Sequence, residues 1–121
     1  MKKAQILICD DELGVRESLK LILGQEYAVA FVTNGAEAVA YMTAHDPDLA
    51  LLDLKMPKMD GLEALQQIKV LKPRAKVVIL TGYESSDVAA QAIRLGATDF
   101  LTKPLDRAKV LARVRALLNA P

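Results

Sequence analysis

Among its 121 residues the chain holds one cysteine, one histidine, no tryptophan, three tyrosines and two phenylalanines. Each shortage removes a class of function. A lone Cys9 supports neither a disulfide framework nor a cysteine metal cluster, and it reads as a small core residue. With aromatics at 4% and a formal net charge of +1, the sequence offers no base-stacking platform and no basic footprint for a phosphate backbone. Direct nucleic-acid binding is therefore not expected. Long apolar runs are missing too. Met1-Lys2-Lys3 precedes apolar residues, but that run is shorter than a signal-peptide core and ends in acids, and no stretch approaches a membrane span. The expectation is a cytoplasmic chain with no membrane contact.

What is present points to a compact fold: 52% hydrophobic and 26% charged residues, without repeats or low-complexity tracts. The length suits one domain over 1–121, able to bury roughly two-thirds of its unfolded surface, with 118–121 reading as the start of a linker or tail. Short apolar runs alternate with longer amphipathic stretches. Gln5–Cys9, Ala28–Val32, Leu49–Leu52 and Lys76–Leu80 are almost continuously apolar, as strands covered on both faces should be, and Asp99–Thr102 is a shorter fifth candidate. Between them, Val15, Leu19, Ile22 and Leu23 recur at helical spacing, as do Leu62, Leu65 and Ile68, and also Val110, Leu111, Val114, Leu117 and Leu118. Asn34 followed by Glu37 three residues on suggests a capping box, while Gly24 and Gly96 stand where helices should stop. The pattern predicts an α/β fold, (βα)5: a doubly wound, five-stranded parallel sheet with helices on both faces. In such sheets ligands bind beyond the carboxyl ends of the strands.

That rule gathers the polar residues of the chain at one edge. Asp10 and Asp11 end the first strand, Asp53 the third, Thr81 the fourth and Lys103 the fifth. Two carboxylates about 5 Å apart repel by about 3 kcal/mol at an effective dielectric of about 20, so several together call for a cation. All-oxygen ligation, with neither histidine nor cysteine in the set, points to Mg2+, which keeps several waters and accepts phosphate oxygens. Lys103 and Thr81 add a point charge and a hydroxyl donor. A carboxylate can itself be the nucleophile and form an aspartyl phosphate, and Asp53, on the central strand, is the candidate.

At these residues the chain resembles the receiver domain of two-component response regulators. The acidic pair Asp10-Asp11, the Asp53 that ends LALLD, the loop MPKMDG from Met56 to Gly61, Thr81 in ILTG and Lys103-Pro104 in DFLTKP stand in the family's order and spacing. The resemblance implies a flavodoxin-like strand order 2-1-3-4-5 and a role for each residue. Asp53 would be the phosphoacceptor, served by a histidine kinase or histidine phosphotransfer protein. Asp11, Asp53 and the backbone carbonyl of Lys55 would ligate Mg2+ directly, and Asp10 through water. Lys103 would pair with Asp53 and then with its phosphoryl group. Thr81 and the backbone N–H of Gly82 would bond phosphoryl oxygens, and Thr81 and Phe100 would move together as the switch. Lys55 and Tyr83 occupy the places that govern water access to the acyl phosphate, with Tyr83 expected to slow its loss. Lys103–Pro104 is expected to be cis. The fourth helix, fifth strand and fifth helix would carry the signal to a downstream effector domain or protein.

Blander readings stand beside these. Asp10 and Asp11 could simply begin a helix, where acids suit the dipole; Thr81 could be a turn residue; Phe100 could be a static core aromatic; and Gly61 reads as a backbone-conformation residue rather than a contact. His45, in a His-Asp-Pro turn, reads as an exposed loop residue, so a phosphodonor histidine must come from another protein. Asp99 and Arg113 match positions that pair across a dimer in one transcription-factor subfamily, but Lys109 stands where that subfamily has an acid. A phosphorylation-dependent homodimer is left open. Two alternative functions remain: an aspartate-nucleophile phosphohydrolase, which needs an acid where Lys55 stands, and a receiver that binds partners without phosphorylation. The reading preferred is a signalling domain, not an enzyme, whose chemistry is limited to its own phosphorylation and dephosphorylation.

Overall fold

The computed structural model describes residues 3–55, 59–82 and 86–119. Strands and helices alternate as β1 (Gln5–Cys9), α1 (Leu13–Leu23), β2 (Ala28–Val32), α2 (Gly35–Ala44), β3 (Leu49–Asp53), α3 (Gly61–Leu71), β4 (Val77–Thr81), α4 (Ser86–Arg94), β5 (Asp99–Thr102) and α5 (Arg107–Asn119). All strand pairs are parallel, in the order β2-β1-β3-β4-β5. β3 and β4 are buried along their whole length, which is why LALLD and VVILT read as unbroken apolar runs closed by one polar residue.

Alternation along the strands divides the interior in two. Ile6, Ile8, Leu49, Leu51, Val78 and Leu80 point to a layer shared with Leu19 and Leu23 of α1 and Val110 and Val114 of α5. Leu7, Cys9, Ala50, Leu52, Val77 and Ile79 point to the other, shared with Met42 of α2, Leu65 and Ile68 of α3 and Ala92 of α4. The period of two in the strands thus supplies both faces of one sheet.

Local chemistry sets the helix ends. Asn34 caps α2, its side chain accepting from the Glu37 N–H at 2.9 Å. The Glu37 carboxylate reaches back to Thr33, taking its N–H and hydroxyl at 2.7 Å each, one residue earlier than the reciprocal bond of a standard capping box. Asp60 caps α3 in the same way, through the Glu63 N–H at 2.9 Å. Gly24 ends α1 in a right-handed conformation, whereas Gly96, past α4, has φ of 107°, a value that only glycine adopts at little cost. Lys103–Pro104 is cis, as the resemblance implies.

Candidate functional site

Four strand ends and the start of α1 build the site. Asp10 follows β1 and is completely buried, Asp53 closes β3 with 3% exposure, and Thr81 closes β4, also buried. Parallel register puts Thr81 beside Thr102, the residue before Lys103, and the Lys103 N–H donates to the Thr81 carbonyl at 2.7 Å. Lys103 is thereby delivered to the acidic cluster. Its Nζ lies 2.9 Å from Asp10 Oδ2, 3.4 Å from Asp53 Oδ1 and 3.6 Å from Glu12 Oε1. The contact with Asp10 Oδ2 is an ion pair without the alignment of a hydrogen bond, for that buried oxygen has no hydrogen-bond partner. The other Asp10 oxygen accepts the Glu12 N–H at 2.9 Å, and the Asp10 carbonyl accepts from Arg16 of α1 at 2.8 Å.

Carboxylate oxygens of Asp10, Asp11, Glu12 and Asp53 all lie within 4.8 Å of one another. Burial raises the pKa of Asp53 and the Asp10 charge adds to the rise, while Lys103 and the Lys55 N–H, 3.4 Å from Asp53 Oδ1, oppose it. For Lys103, burial alone would weaken the ammonium, yet contact with Asp10 and the charges of Asp53 and Glu12 outweigh it and its pKa is raised. The same field reaches Cys9, whose thiol is pushed up to about 12 by burial first and then by Asp10 and Asp53. It donates to the Asn34 carbonyl at 3.3 Å and is chemically quiet there. A hard, oxygen-only donor set with an excess of negative charge fits a magnesium ion.

Of the residues picked out in the sequence, the structure brings together Asp10, Asp11, Asp53 and Lys103, with Thr81, Gly82 and Lys55 at the same strand ends. Tyr83, with Met56, Pro57 and Lys58 of the loop after β3, lies outside the described residues. Phe100 is 39% exposed, so it is not a core aromatic. The helix-start reading of Asp10 and Asp11 does not hold: α1 begins at Leu13, with Glu12 as its N-cap. Gly61 needs correction as well. A Cβ there would lie 2.3 Å from the Asp53 carbonyl oxygen and 2.6 Å from Leu54 Cα; closeness to the Asp53 strand, not an unusual backbone angle, demands glycine. At Gly82 a Cβ would meet nothing within 4 Å, so an alanine would fit. His45 is exposed and stacks on Tyr41 with ring centroids 4.1 Å apart. Arg113 pairs with Asp99 of its own chain, which satisfies both groups without a second copy. Glu12, third in the DDE run, is the contributor that sequence reasoning left without a role.

The profile of the response regulator receiver domain matches residues 6–115. This chain is a receiver domain. It is 36% identical over 119 residues to sporulation initiation phosphotransferase F of Bacillus subtilis, covering 98% of this chain and 96% of that protein. Against the transcriptional regulatory protein ZraR of Klebsiella oxytoca it is 40% identical over 106 residues, 87% of this chain but 24% of ZraR. The receiver domain thus spans about a quarter of one relative and nearly all of another. A chain of the CheX–CheY–BeF3–Mg2+ complex from Borrelia burgdorferi superposes with a TM-score of 0.91 at 32% identity, covering 96% of this receiver domain and 90% of that chain. The receiver domain is a two-component signalling module, and among its described residues no helix is long and apolar enough to cross a membrane.

Proposed function

We propose that this receiver domain works in the cytoplasm as a phosphorylation-controlled switch, taking a phosphoryl group onto Asp53 from a phosphohistidine of a histidine kinase or histidine phosphotransfer protein. The observation that carries this reading is a buried carboxylate, held 3.4 Å from a lysine ammonium, at the open end of a parallel sheet. In the transfer, an Asp53 oxygen bonds to phosphorus as the P–N bond breaks; the electron pair stays on the imidazole nitrogen, which takes up a proton. Lys103 balances the Asp53 charge before transfer and the phosphoryl oxygens afterwards. The Thr81 hydroxyl and the Gly82 N–H donate to those oxygens.

Asp11, Asp53 and the Lys55 carbonyl would hold Mg2+ directly, with Asp10 acting through water. This division is supported by Asp10 being engaged already by the Glu12 N–H and Lys103, while Asp11 is exposed. Bound there, Mg2+ supplies positive charge to the transferring phosphoryl oxygens. As Thr81 turns toward the phosphoryl group it vacates space, and Phe100, now partly in solvent, moves in. That pair would alter the surface of α4, β5 and α5, where a downstream effector, or a second copy in a phosphorylation-dependent dimer, reads the state. Lys55 and Tyr83 would set how fast water removes the phosphoryl group.

Incubation with Mg2+ and acetyl phosphate, followed by mass spectrometry, tests the reading. One phosphoryl group is expected on Asp53, with labelling of Asp53→Asn at about 1% of the wild-type level or less, the scale of loss when a nucleophile is removed. Undiminished labelling of that variant, or turnover of unrelated phosphomonoesters, would overturn it.

A further inference from the structure

Glu12 is the N-cap of α1, yet its side chain makes no capping hydrogen bond. Its carboxylate turns to Lys103 instead, 3.6 Å away, with the Glu12 side chain 65% exposed and the Lys103 side chain 15% exposed. An acid at a helix start ordinarily serves the first-turn N–H groups; this one serves the lysine of the phosphorylation site. Its oxygens also complete the acidic cluster, within 4.8 Å of those of Asp10, Asp11 and Asp53. The bland alternative is a solvated surface carboxylate with no influence on the site.

We infer that Glu12 is a positioning residue that trades hold on the phosphodonor for hold on the cation, by adding negative charge beside the metal ligands and drawing the Lys103 ammonium toward solvent. The inference rests on the phosphoacceptor reading of Asp53. A single charge acts with opposite sign on the two ligands of the reaction. It favours a divalent cation and disfavours an anionic donor, directly and by sharing Lys103 among three carboxylates instead of two. Because Glu12 is exposed, solvent screening holds each effect to about fivefold at most, the upper end for exposed ion pairs. Damage to folding would instead weaken both ligands together.

Glu12→Gln removes the charge and keeps the shape. Calorimetric titration with Mg2+ alone should show a Kd raised over wild type, by about fivefold at most. At saturating Mg2+, the acetyl phosphate concentration for half-maximal phosphorylation should fall by a similar factor. Glu12→Asp, which keeps the charge, should retain most of the wild-type Mg2+ affinity. High salt should shrink the Glu12→Gln difference, since its Debye length of about 3 Å at 1 M screens exposed charges. Unchanged values in Glu12→Gln, a change in one ligand only, or both ligands weakened together overturn the role of Glu12. A wild-type domain that takes neither Mg2+ nor a phosphoryl group fails separately, because it removes the reading of Asp53 before Glu12 is tested.

Discussion

Asp53 carries its charge where charge is disfavoured. With its carboxyl pKa raised by burial and by Asp10, the folded protein binds a proton there more readily than the unfolded chain. Stability is then lost as pH rises through the window that begins at the ordinary value of 3.8, because the native state must give up a proton it holds more tightly. Asp53→Asn cannot ionise, so in metal-free buffer it should melt above wild type at neutral pH, with each 1 kcal/mol worth about 4 °C at this size. The gap should close below the ordinary carboxyl pKa and narrow when Mg2+ is added. Thermal melts across pH, with and without chelator, check this; a variant that melts below wild type in metal-free buffer at pH 7 contradicts it. If Asp53 is the phosphoacceptor proposed above, stability is exchanged for chemistry at one side chain.

The junction from β3 to α3 shows the same tension between fold and site. Gly61 lets α3 begin against the strand that bears Asp53, where a Cβ would stand 2.3 Å from the Asp53 carbonyl oxygen. Gly61→Ala must push α3 away from β3, at a cost of about 1–3 kcal/mol, typical of overpacking, and should slow phosphorylation by displacing Asp53. Gly82→Ala, with nothing within 4 Å of the added carbon, should leave stability within about 0.5 kcal/mol; denaturant unfolding of the pair separates the two cases. At this scale the sequence was largely legible. Buried parallel strands announce themselves as apolar runs, and β1, β2 and β5 have the expected bounds. β3 runs one residue further, through Asp53, and β4 is shifted by one, starting at Val77 and closing on Thr81, because a polar residue at the end of an apolar run hides the strand's last position. α4 left no helical stripe of large residues, since Ala89 and Ala92 are its buried side chains among those described. Asp10, Asp53 and Lys103 were legible because Asp53 closes a strand and the other two directly follow one. The pairing of Glu12 with Lys103 was not, for it joins side chains 91 positions apart in sequence.

Across the molecule, cohesion is uneven. α1 buries Leu19 and Leu23, α3 buries Leu65 and Ile68, and α5 buries Val110, Leu111 and Val114, whereas α4 offers Ala89 and Ala92. At about 0.8 kcal/mol per buried CH2, an alanine in place of a leucine gives up roughly 2 kcal/mol of anchoring. α4 should therefore open more readily than its neighbours, and native-state hydrogen exchange should show its amides exchanging ahead of those in α3 and α5; equal protection would contradict the argument. Such a helix, next to the strand that holds Phe100, is a natural element for a switch to move. A last consequence follows from the sheet itself. Because the side chains of each strand alternate between two interiors, substitutions on the α1/α5 side and on the α2/α3/α4 side communicate through strand backbone, and their energetic effects should sum. Mutation can thus retailor one flank of the receiver for a new partner while the opposite flank keeps its inherited fit.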